Sequence, residues 1–74
     1  MNPADFDPDY VFTHHHPTPE KLHHYEAIHD AAKNFAAVIL ANTPPSADQA
    51  AALRLLREAT MTANAAVALD GRLR

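Results

Sequence analysis

No cysteine occurs in the 74 residues. Disulfides, thiolate metal sites and thiol catalysis are thereby excluded. Gly71 is the only glycine, so no glycine-rich loop exists to wrap a phosphate. The lone serine, Ser46, has a better use as a helix cap than as a nucleophile. Cations are also few. Six Lys and Arg against nine Asp and Glu leave a formal charge of −3 with the histidines neutral. A basic stripe for a nucleic-acid polymer is therefore absent. No apolar run approaches the ~20 residues of a membrane span. The opening Met1-Asn2-Pro3-Ala4-Asp5 lacks the basic start and apolar stretch of a signal peptide. These absences predict a soluble, cytoplasmic protein with no membrane partner. The chain is 47% hydrophobic, but much of that is alanine, which buries little area. Below about 80 residues one core seldom supplies more than ~3–5 kcal/mol. A homo-oligomer is the expected remedy.

What is present divides into an arm, residues 1–17, and a helical hairpin domain, residues 18–74. The arm carries Pro3, Pro8 and Pro17 with Asp5, Asp7 and Asp9, and no Lys or Arg. Prolines remove donors and bias their predecessors toward extended backbone, so an extended arm is expected, with Phe6, Tyr10, Val11 and Phe12 packing on something. Thr18, Pro19 and Glu20 are a helix start: a cap, a proline at the first position and an acid at the positive pole. Leu22, Tyr25, Ile28, Ala32, Phe35 and Ile39 then form one helical face, with Phe35 expected in the hairpin core. Pro44 and Pro45 end that helix. Ser46 followed by Gln49 is a capping box. Leu53, Leu56, Thr60, Ala63 and Val67 form the facing stripe, and Gly71 marks the end. The short connection predicts antiparallel neighbours. Val38, Leu40 and Leu55 lie off both stripes, which favours self-association.

The histidines are conspicuous: His14, His15 and His16, then His23, His24 and His29. Zinc needs three or four converging ligands. No His-Glu-x-x-His pattern occurs, and His24 is one position off the i, i+4 partner of His29, so solvated or ligand-contacting imidazoles are favoured over metal. No paired acid and base with a nucleophile stands out, so no catalytic residue is assigned. Tyr10 to Pro17 interleaves aromatic and imidazole rings, flat faces that suit bases. Asn64, flanked by alanines, is a candidate for a buried polar contact.

The order Phe12-Thr13-His14-His15-His16-Pro17, Tyr25-Glu26-Ala27-Ile28-His29-Asp30, Pro44-Pro45-Ser46 and Met61-Thr62-Ala63-Asn64-Ala65-Ala66 resembles the small phage anti-CBASS cyclic-nucleotide sponges and the related helical hairpin of anti-Thoeris sponges. The resemblance covers residues 12–69. It implies an all-α hairpin with an N-terminal arm that assembles as a homohexamer in the cytoplasm of an infected cell. It also implies a non-catalytic protein that sequesters a cyclic dinucleotide or a related cyclic nucleotide and so evades host defence. No cofactor is implied. Ligand-binding roles fall on Phe12, His14, His15, Pro17, His29 and Asn64. His14 stands where the family has a base-stacking tyrosine, and His29 where it has a phosphate-contacting Arg or Lys. Thr62 and Leu69 replace a family Trp and Arg. The other readings are an oligomeric protein–protein interaction module or direct inhibitor of a host enzyme, and a small metal- or nucleotide-dependent hydrolase.

Overall fold

A computed structural model describes residues 5–74, and the described residues form three helices: α1 (Pro8–Phe12), α2 (Pro19–Asn42) and α3 (Ala47–Ala68). Of these, α2 and α3 form the antiparallel hairpin. The helix starts follow the sequence signals. The Thr18 side chain accepts from the Lys21 N–H at 3.1 Å, ahead of Pro19. Ser46 accepts from the Gln49 N–H at 3.1 Å. Only half of the expected capping box forms, because the Gln49 amide turns instead to Thr43, reaching its carbonyl and hydroxyl at 3.1 Å each. Gln49 thereby pins the connection rather than the cap.

The arm is the first correction. Residues Pro8–Phe12 are helical, not extended. Asp7-Pro8 is the same signature as Thr18-Pro19, a capping side chain followed by proline. A five-residue helix is unstable alone, so its tertiary contacts matter. The Asp7 N–H donates to the Leu73 carbonyl at 2.6 Å. The Tyr10 hydroxyl donates to the Leu69 carbonyl at 2.7 Å. Arg72 lies over the Tyr10 ring, 5.1 Å from its centre. The arm thus packs on the far end of its own hairpin through Tyr10, while Phe12 is 79% exposed and meets Phe6 edge-on.

The second correction concerns the core. Half-buried positions on α2 run Lys21, Tyr25, Ile28, Ala32, Ala36, Ile39; Leu22 and Phe35 are exposed, Phe35 by 56%. The expected stripe from 22 to 39 averages about 3.4 residues per step, whereas a straight helix needs about 3.6. Over four turns the difference rotates Phe35 off the seam and brings Ala36 in. On α3 the expected Leu53, Leu56, Thr60, Ala63 and Val67 are all half-buried. Ala36 for Phe35 keeps the helices close but thins the core.

The end of α3 differs as well. The helix stops at Ala68, and the left-handed turn begins on Asp70 (φ 54°) before Gly71 (φ 71°). The Gly71 N–H reaches the Ala66 carbonyl at 2.9 Å and the Asp70 N–H the Val67 carbonyl at 3.3 Å, which is the Schellman arrangement. Lys21 adds a bond to the Ala68 carbonyl and an ion pair with Asp70, both at 3.3 Å. With Tyr10 on Leu69, the carbonyls that a helix end leaves unpaired are served from α1, α2 and the turn itself.

Leu69 is the one buried residue among those described. The radius of gyration is 15.3 Å, against about 11 Å for a compact chain of this length. Leu40, Leu55 and Met61 are each more than half exposed. A single copy is an elongated hairpin with a thin seam and much apolar surface.

Candidate functional site

About three turns into α2, His29 lies one turn beyond Tyr25 on the same face. On α3, Asn64 shares a side with Met61, Ala65 and Ala68 by the i, i+3, i+4 rule. The antiparallel pairing brings these two sets together as an open recess lined by Tyr25, His29, Met61, Asn64, Ala65 and Ala68. At its centre Asn64 Nδ2 lies 3.2 Å from His29 Nε2. The two residues are 35 positions apart in the chain. The Asn64 side-chain oxygen is buried and has no hydrogen-bond partner, while His29 is exposed. The recess therefore offers an imidazole and an aromatic ring against an alanine floor, a surface with few polar groups of its own.

The arm residues form a separate group. His15 Nε2 is 2.7 Å from the Tyr10 carbonyl. A carbonyl only accepts, so His15 carries a proton on Nε2 and donates it. Its ring also meets the Tyr10 ring edge-on, 4.9 Å between centres. His14 and His16 meet each other edge-on at 4.8 Å and are exposed. Pro17 is exposed between the arm and α2. The hydrogen bonds of His15 and Tyr10 tie the arm to itself and to Leu69; one chain brings His29 and Asn64 together, and Phe12, His14, His15 and Pro17 are not among the residues that line their recess. Tyr25 and Met61 are lining residues that sequence reasoning assigned elsewhere or passed over. Their spacing to His29 and Asn64, four and three positions, is the signal that finds them.

Among the described residues no group of three His, Asp or Glu side chains is placed to hold a metal ion. No helix there is long and apolar enough to cross a membrane.

Residues 7–68 match a family model, "Acb2/Tad1, hairpin domain". The chain belongs to this family. The match takes in α1 as well as both hairpin helices. Acb2/Tad1 is the anti-CBASS and anti-Thoeris sponge family, whose members sequester cyclic nucleotides without turning them over. No curated protein and no solved structure matches the chain significantly.

Proposed function

We propose that this protein is a homo-oligomeric sponge that binds a cyclic dinucleotide or a related cyclic nucleotide immune signal in the host cytoplasm. Membership of the Acb2/Tad1 hairpin family over most of the chain carries this reading. Within it, His29 supplies a hydrogen-bond donor for a phosphate. His14 supplies a stacking face for a base, Phe12, His15 and Pro17 complete the contacts, and Asn64 belongs to the site through its contact with His29. Of this set, His29 and Asn64 line the groove of a single chain, and on this reading the arm residues reach it from a neighbouring copy. The exposed Phe12, Phe35, Leu40, Leu55 and Met61 supply the apolar area for such an assembly, with six copies the number the family resemblance implies.

Light scattering at micromolar concentration should give a mass several times 8.1 kDa; a folded monomer overturns the shared site. Calorimetry against cyclic dinucleotides, cyclic trinucleotides and cyclic ADP-ribose isomers should find one class that binds. Heating the complex and recovering intact ligand separates sequestration from hydrolysis. An oligomer that binds none of these ligands ends the sponge reading and leaves a protein–protein module.

A further inference from the structure

The Asn64 amide is half-buried with one end on His29 and the other end unpartnered. Either orientation of the amide leaves one end orphaned. With nitrogen toward His29, the orphan is a carbonyl oxygen. With the amide reversed, the orphan is an NH2 group with two buried N–H donors. Unpaired N–H groups are rarer in proteins than under-satisfied carbonyl oxygens, so the first orientation carries the smaller penalty. It has a consequence for His29. An amide N–H that points at Nε2 needs a lone pair there, so the imidazole proton must sit on Nδ1. Among the described residues, no hydrogen bond of the protein uses His29 Nδ1, and His29 is exposed.

We infer that Asn64 is a positioning residue that holds His29 in the Nδ1–H tautomer, so that the neutral imidazole presents a fixed N–H donor to an acceptor oxygen of the ligand. Imidazole in water favours the other tautomer, with the proton on Nε2, so Asn64 reverses the default. The role of the donor rests on the sponge reading above; the tautomer does not. His15 is the internal contrast, since its Nε2 faces a carbonyl and must carry the proton. One chain therefore holds two histidines in opposite tautomers, each set by what faces Nε2.

Long-range proton–nitrogen NMR on the ligand-free protein at about pH 8, where an ordinary histidine is neutral, reads this directly. His29 should show a pyrrole-type Nδ1 and a pyridine-type Nε2, and His15 the reverse. A predominantly Nε2–H His29 overturns the inference and leaves the sponge reading standing. Asn64→Asp puts an acceptor opposite Nε2 and should invert the His29 pattern without changing oligomer size. Asn64→Leu should release His29 to the default tautomer.

A double-mutant cycle then tests the consequence with whichever cyclic dinucleotide the wild type binds. Asn64→Leu should weaken binding about two- to tenfold, the worth of one neutral hydrogen bond. In a His29→Ala background the same change should have no further effect. If Asn64→Leu costs as much without His29 as with it, Asn64 touches the ligand itself and the positioning role is overturned. Wild type that shows the Nδ1–H tautomer but binds no cyclic nucleotide overturns the donor role and the sponge reading while leaving the tautomer itself intact.

Discussion

The arm end of the hairpin and the His29 groove use the same kinds of side chain to opposite effect. At the arm end, polar groups from distant parts of the chain complete one another. Tyr10 serves Leu69, Lys21 serves Ala68 and Asp70, His15 serves Tyr10, and the Asp7 N–H serves Leu73. In the groove, His29 and Asn64 meet each other, the Asn64 oxygen has no partner, and the surrounding lining is largely apolar. Satisfied polar groups hold a fold, and an incompletely satisfied pair on a partly exposed surface leaves capacity for a ligand. The difference gives the arm end its structural weight and leaves His29 and Asn64 with unused hydrogen-bonding capacity.

The largest expected effect falls on the arm end. Leu69 is the buried residue on which α1, α3 and the C-terminal turn converge. Leu69→Ala should cost about 2–5 kcal/mol and lower the melting temperature by roughly 10 °C or more. A shift of only a degree or two would mean that the arm end is not the structural centre. The groove should respond the other way. His29→Ala should weaken cyclic nucleotide binding about ten- to a hundredfold, the worth of a hydrogen bond to a charged group, with the melting temperature nearly unchanged. Calorimetry and thermal unfolding on the same sample check both halves, and a large fall in melting temperature would erase the contrast between the regions.

A smaller effect sharpens the arm end further. Tyr10→Phe keeps the ring under Arg72 but removes the donor to the Leu69 carbonyl. About 1 kcal/mol of stability should go, or roughly 4–8 °C in a domain of this size. The smallest effect is expected at Asp70. Asp70→Asn keeps a residue that tolerates the left-handed backbone and removes the ion pair with Lys21, whose partner is 63% exposed. Less than about 1 kcal/mol should be lost, and the loss should vanish at 1 M salt. A larger, salt-independent loss would show that Lys21 depends on Asp70 to reach the Ala68 carbonyl.

Where the helices start and where the chain turns back was legible from single residues. Thr18-Pro19, Ser46 with Gln49, and Pro44-Pro45 act within one turn of themselves, so local chemistry suffices to read them. Asp7-Pro8 carried the same information, but a helix of five residues is worth too little alone to be trusted without the contacts that hold it. Phe35 was misplaced because alternating steps of three and four drift off a seam, and the drift shows only once the partner helix defines where the seam lies. Of the candidate site residues, His29 and Asn64 each stood out by composition and resemblance. Their pairing across 35 residues did not, because sequence spacing carries no register between two helices.

The amino-acid sequence by itself determined two long helices, their caps and their antiparallel order, because these follow from capping side chains, proline and a short connection acting over a few residues. Only the tertiary structure decided which α2 side chains face α3, where the arm docks and which nitrogen of His15 and of His29 is engaged. Those depend on the register and rotation of one helix against another, which are set by packing over the whole seam and by polar groups that must find partners from far along the chain.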